Sequence, residues 1–429
     1  MKKEKLPAEL WDKMHYLFRD FNDRMVHLEL CYDCEIDINI LKKVIICFFE
    51  KAPVLHSSFT DNHLSPYWTV HDYDINEVLT VEHTDTPRET AETFLTQYIP
   101  PESELQMKVG VFMSEKESVL CIVENHMCMD GGDFKYFIKA LCSAYTLLKE
   151  QGKSPVDLRT GTRSYDKVYS DYSYTEKRMA KNLYKNVCAK DTHRFPLTPE
   201  SIRDRSFIVR RKIPADTFLK LKNEGKKRGA TVNDMLLASY FHSLYELAGF
   251  NESEALTISC AVDLRRHISD LSDEGLTNHT AFMQCRIPRR GRDVFETLSY
   301  TVQTSEKFKN DKFMGLYGLP LLNLGYSLLP HAASEEIIKI GYSNPLIAMS
   351  NIGILDKNAL SLCGNAPTDG FMTGAVKYKP YVLLSATTLG NEVTLSMCVK
   401  GNEEDRAVTE RFFDIMEKNI GVLSHGNDR

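Results

Sequence analysis

Apolar residues along this chain recur with two periods, and the alternation of those periods marks its elements. A short helix is predicted around Trp11 to Phe21, a strand over Val26 to Tyr32, and a helix over Ile38 to Glu50 that Pro53 follows. Tyr67 to His71 and Leu105 to Met113 read as further strands. The apolar run Val119 to Val123 has the length and β-branched content of a buried strand, and Gly131-Gly132 interrupts the chain after it. Phe134, Phe137, Ile138, Leu141, Tyr145 and Leu148 then recur at steps of three and four, the mark of a helix with one buried face.

From Gly152 to Arg203 the pattern fades, broken by Pro155, Pro196 and Pro199, with some helix expected between Thr175 and Cys188. This stretch is the best candidate for a boundary or crossover. Beyond it, Phe207 to Ile213 reads as a strand and Ala215 to Arg228 as a helix ended by Gly229. Thr231 to Ala248 is the clearest helix of this half, capped by Thr231 or Asn233, with Val232, Met235, Leu236, Tyr240, Leu244 and Leu247 as its buried stripe. A strand over Thr257 to Val262 runs into Asp263-Leu264-Arg265-Arg266-His267. Val382 to Thr388 and Val393 to Val399 flank Gly390-Asn391 as a hairpin, and Val408 to Ile420 is a closing amphipathic helix. Each half offers a sheet with packed helices, so the fold class is α/β, and 429 residues suit two cores.

The segment Glu124-Asn125-His126-Met127-Cys128-Met129-Asp130-Gly131 carries the candidate chemistry. His126 stands at a strand-to-turn junction, where an open sheet leaves a crevice, and an imidazole there can act as a general base. Asp130 can accept backbone N–H bonds or pair with an arginine and so lock the loop, a supporting role rather than a reacting one. The glycines behind it admit close backbone approach or positive φ. On spacing alone most such His and Asp pairs are ordinary loop residues; the flanking strand and helix raise the odds.

A net charge of −6 without a basic tail excludes the electrostatic footprint of a nucleic-acid binder and favours small-molecule or protein partners. Met1 to Lys13 is charged, interrupted by Pro7 and followed by no apolar core of a signal peptide, so a cytoplasmic protein is expected. No apolar run approaches the roughly 20 residues that span a bilayer, so the chain is expected not to be transmembrane. Eleven scattered cysteines fit buried thiols in a reducing compartment. Cys31 and Cys34 form one Cys-x-x-Cys, but they lack zinc companions nearby, and strand residues three apart face opposite sides; no metal site is expected.

His126, Asp130, Arg265 and Asn351 together resemble the pattern of the CoA-dependent acyltransferase superfamily, which includes chloramphenicol acetyltransferase, nonribosomal peptide condensation domains and alcohol acetyltransferases. The family signature His-His-x-x-x-Asp-Gly reads here as Asn125-His126-Met127-Cys128-Met129-Asp130-Gly131. Its first position departs to Asn, while the second His, the Asp and the motif glycine Gly131 remain. Thr231 to Ala238, Val262-Asp263-Leu264-Arg265 with Thr277-Asn278, and Ser350-Asn351-Ile352-Gly353 resemble further segments of the same proteins in the same order. The plant-type Asp-Phe-Gly-Trp-Gly motif is absent.

The resemblance implies two similar sandwich domains meeting at a tunnel, here 1–190 with the His-x-x-x-Asp-Gly motif and 191–429. It implies no permanently bound cofactor, an acyl-CoA or acyl-phosphopantetheine donor, a small alcohol or amine acceptor, and a possible acyl-carrier protein as partner. His126 would take the acceptor's proton and return it to the leaving thiolate. Ser350 or Asn351 would stabilise the oxyanion, and Arg265 would pair with Asp130. The reading is an acyltransferase; its alternatives are amide-forming condensation on carrier proteins and a noncatalytic protein-interaction module of the same fold.

Overall fold

A computed structural model describes residues 3–153, 157–180, 191–341 and 345–426. The strand that ends at the candidate histidine spans Ser118–Asn125 and lies between Met25–Tyr32 and Met107–Met113, antiparallel to both. Every residue of it is buried, and so is every residue of Met25–Tyr32. The sheet is covered on both faces. Leu28, Leu30, Leu120 and Ile122 pack with Phe48 and Phe137 of the helices Ile38–Lys51 and Gly131–Gln151. Cys31, Val119, Cys121 and Val123 face Ala91 and Phe94 of the helix Pro87–Leu95, together with Ile208 and Cys398 from the second half. Burial on two faces explains why Val119 to Val123 reads as one continuous apolar run instead of alternating.

This sheet has five strands in the order Asp369–Thr373, Met25–Tyr32, Ser118–Asn125, Met107–Met113, Leu79–His83. Its outer strand, Asp369–Thr373, arrives from the second half and sets Asp369 opposite Cys31 and Thr373 opposite His27. A six-stranded sheet runs Thr280–Ile287, Leu256–Asp263, Ile347–Leu355, Val382–Leu389, Glu392–Gly401, Arg205–Ile213, and a small third sheet joins Lys5–Pro7, Tyr67–Val70 and Ser57–Thr60. The hairpin over Gly390-Asn391 forms, with Gly390 at φ 61°.

Two sequence expectations need correction. The first helix, Leu10–Leu17, tightens into a 3-10 turn over Phe18–Asp20 rather than continuing to Phe21. The helix Val232–Ala248 has no single buried stripe: Asp234 to Tyr245 is buried on every side, because the helix packs between Val294–Lys309, Glu403–His425, Ala215–Lys227 and the larger sheet. Its cap is Thr231, whose hydroxyl accepts from Asp234 N (3.3 Å) while the Asp234 carboxylate accepts from Thr231 N (2.8 Å). Of the helix expected between Thr175 and Cys188, Tyr174–Ala180 forms; 181–190 lie outside the described residues. Cys31 and Cys34 are free thiols, the first buried in its strand and the second beyond the strand's end. Among the described residues no helix is long and apolar enough to cross a membrane.

Candidate active site

The strand Ser118–Asn125 delivers His126 at its end, and the turn after it is fixed by polar contacts. Asn125, standing where the family signature has its first histidine, is fully buried. Its amide donates to Gln106 Oε1 (2.7 Å) and its Oδ1 accepts from Met127 N (3.1 Å). Arg163 Nη2 donates to the carbonyls of Met127 (3.1 Å) and Cys128 (3.3 Å) from a guanidinium paired with Asp12 (2.9 Å). His126 N itself donates to Arg24 O (2.8 Å).

Asp130 closes the turn as the N-cap of Gly131–Gln151, accepting from Gly132 N (2.9 Å) and Asp133 N (3.0 Å). It also reaches the second half: Arg265 Nη1 lies 2.8 Å from Asp130 Oδ2, and His279 N donates to that oxygen at 2.6 Å. Arg265 Nη2 lies 2.9 Å from Asp133 Oδ2; Arg159 pairs with Asp133 and Glu274, and His279 Nε2 sits 2.9 Å from Glu274 Oε1. Burial opposes ionisation of Asp130, but the Arg265 guanidinium and the backbone donors outweigh it and hold the carboxyl well below the usual range. Burial raises Asp133 instead, against the pull of the same arginine and with Asp130's charge adding to the rise. Arg265 and Arg266 separate because Leu264–His267 is a short 3-10 turn rather than more strand; Arg266 turns to Met314.

The motif glycines need no positive φ. A Cβ on Gly132 would come 3.1 Å from both Arg265 Nη1 and Asp130 Oδ1, so close approach is what the glycine permits there; on Gly131 it would meet Met372 Cε at 3.4 Å, an ordinary contact.

The His126 ring is oriented by a residue of the second half. Asn278 donates from Nδ2 to the His126 carbonyl (2.8 Å), which turns its Oδ1 toward His126 Nδ1 at 3.0 Å. An acceptor there requires that Nδ1 carry the proton, leaving the Nε2 lone pair for chemistry. His15 stacks on the other side of the ring, with centroids 4.2 Å apart and planes at 26°. Burial lowers the His126 pKa below the ordinary imidazole value, against the pull of Asp130 and Asn278. The ring is therefore neutral at pH 7, the form that a base needs.

Both halves contribute to a cavity of about 220 Å³ lined by His126, Asp130 and Gly131 from one and Phe282, Ser350 and Asn351 from the other. Ser350 is half-buried; Asn351 is exposed at a β-bulge in Ile347–Leu355 and donates to Asn233 Oδ1 at 3.2 Å. Lys135 Nζ holds the bulge through Ile352 O (2.6 Å). Three groups beside His126 escaped the sequence reading. His15 was legible only as a polar residue within the apolar set Leu10, Trp11, Met14 and Leu17; Asn278 lay in a quoted segment without a role, and Lys377 carries no motif.

Comparison with known proteins fits this geometry. The condensation-domain profile matches residues 22–273. No curated protein matches the chain by sequence. Among solved structures, polyketide synthase associated protein 5 from Mycobacterium tuberculosis is similar with TM-score 0.70 at 13% identity, over 98% of this chain and 100% of that one. The trichothecene 15-O-acetyltransferase from Fusarium sporotrichioides is similar with TM-score 0.70 at 12% identity, over 98% and 94%. The first condensation domain of the calcium-dependent antibiotic synthetase, in complex with a substrate analogue, gives TM-score 0.67 at 12% identity over 98% and 97%. At such identities these likenesses establish the fold. With the profile spanning more than half of its length, the chain belongs to the condensation-domain family, and its fold is that of the chloramphenicol-acetyltransferase-like superfamily that the His126 segment resembles.

Proposed function

We propose that the protein transfers an acyl group from a phosphopantetheine thioester to an amine or alcohol, with His126 as general base. The observation that carries this reading is the His126 ring, neutral, fixed through Nδ1 by Asn278 and set in a cavity between the halves. An acceptor N–H or O–H gives its proton to Nε2 as its nitrogen or oxygen bonds to the thioester carbon. The tetrahedral intermediate then breaks its C–S bond, and the imidazolium returns the proton to the departing thiolate. Ser350, from the bulged strand, is the candidate donor to the oxyanion, with Asn351 beside it; one such donor is worth about 3 kcal/mol. Asp130 and Arg265 act by tying the base's loop to the second half.

The family match favours the amide-forming alternative with a carrier-bound donor over CoA-to-alcohol transfer; CoA and a carrier present the same thioester arm. Thiol release from acyl-CoA and from acyl-phosphopantetheine on a carrier protein, with mixed amines and alcohols, tests this. Acceptor-dependent release lost in His126→Ala is expected. Folded protein that releases thiol from neither donor would overturn the proposal and favour a noncatalytic role.

A further inference from the structure

Most charged groups at the cavity are already paired. Asp130 and Asp263 are held by Arg265, and Lys135 gives its ammonium to Ile352 O. Lys377 differs. Its backbone is fixed on both sides, N donating to Cys398 O and O accepting from Lys400 N at 2.9 Å each. Its half-buried side chain lines the cavity, close enough to His15 and His126 to disfavour protonation of both rings. Among the described residues the Lys377 ammonium has no hydrogen-bond or ion-pair partner.

The carboxylate in electrostatic reach of it, Asp23, spends Oδ1 on Met25 N (3.0 Å) and Val376 N (2.9 Å). Burial pushes the Lys377 amine down to about 8 and the Asp23 carboxyl up to about 7.

His15 lines the same cavity, 8% exposed and stacked on His126. Burial lowers its pKa well below the ordinary value, so the ring is neutral and adds no second cation. A cation at a cavity wall with no partner of its own is a group that an anionic ligand can complete. Trp11, Phe18, Phe21 and Phe282 give the lining an apolar part, and the cavity holds about 220 Å³. One unpaired cation beside them suits a small monoanion with an apolar body.

We infer that Lys377 forms a carboxylate subsite beside His126, so that the acceptor is a free amino acid or hydroxy acid whose carboxylate rests on Lys377 while its nucleophile meets His126. An amino acid enters as its free amine, having lost one proton to solvent, and His126 takes the next. This inference rests on the acyl-transfer reading, and the test separates the two.

Leucine against leucinamide as acceptors, and N-acetylleucine against its amide as calorimetric ligands, are compared in the wild type, Lys377→Met and Lys377→Arg. The wild type should prefer each acid by about tenfold or more, the worth of one charge-assisted hydrogen bond. That preference should appear in KM and collapse in Lys377→Met while persisting in Lys377→Arg. Circular dichroism and melting confirm folding. Wild-type protein indifferent to acid and amide overturns the subsite, and thiol release in that case leaves the transfer reading standing. A Lys377→Met protein that loses kcat equally on both acceptors with the preference intact also overturns it, assigning the lysine to the oxyanion. Acid-selective binding without thiol release from any donor supports the subsite and overturns the transfer reading.

Discussion

The loop that carries His126 has two sides, and they are built on opposite principles. Toward Arg265, Asp133, Arg159, Glu274 and His279, salt bridges and backbone bonds interlock, and the groups belong to both halves. Toward the cavity, the Lys377 ammonium meets no partner among the described residues. A polar side chain whose partners are all supplied by the protein fixes geometry, whereas one left bare at a cavity wall awaits something from outside. Asp130 belongs to the first kind although it sits in the same short motif as His126.

The sharpest way to break this comparison is to remove one residue from each side. His126→Ala should cut acceptor-dependent thiol release by about 10³-fold, within the usual worth of a general base, and leave the denaturation midpoint close to wild type. Asp130→Ala should instead lose about 3–5 kcal/mol of stability in chemical denaturation, with activity falling alongside, because it breaks a buried ion pair and leaves the Gly132, Asp133 and His279 amides without their acceptor. An Asp130→Ala protein of full stability and no turnover would move Asp130 to the reacting side. Asn278→Ala should lower kcat by about tenfold through the released tautomer while KM changes less.

The pH dependence sharpens the same contrast. Since burial lowers the His126 pKa, kcat/KM for a hydroxyl acceptor should rise with pH through a value below 6.5 and level off by pH 7; Asn278→Asp, by placing a carboxylate at Nδ1, should move that limb upward. A wild-type limb above 6.5 would contradict a buried neutral base. The smallest effect is expected from Gly132→Ala, whose Cβ would press on Arg265 and Asp130 at 3.1 Å each; a loss of about 1 kcal/mol in the same denaturation assay is expected.

Elements whose signal is local were readable in the sequence. The strand ending at His126, the helix after Asp130 and the Gly390-Asn391 hairpin each depend on neighbours a few residues away. Arg265 was reached through a resemblance, because no periodicity tells which of two adjacent arginines turns inward when the strand gives way to a short 3-10 turn. His15, Asn278 and Lys377 gather around one ring from far apart in the chain, and only tertiary packing brings them there. The helix Val232–Ala248 misled for a related reason: neighbours on every side erase the stripe that its sequence displays.

The strand Asp369–Thr373 also bears on how the protein is made. It completes the sheet edge formed by Met25–Tyr32, yet it leaves the ribosome roughly 340 residues later, about 20–70 s at ordinary elongation rates of about 5–20 residues per second. Throughout that interval an apolar strand exposes an open ladder of amides and carbonyls, the template on which nascent chains join one another. Completion of the amino-terminal sheet thereby waits for a late segment of the chain, with the slow kinetics of long-range pairing. A chaperone that shields Met25–Tyr32 should raise the yield of native protein more than one acting on the finished chain.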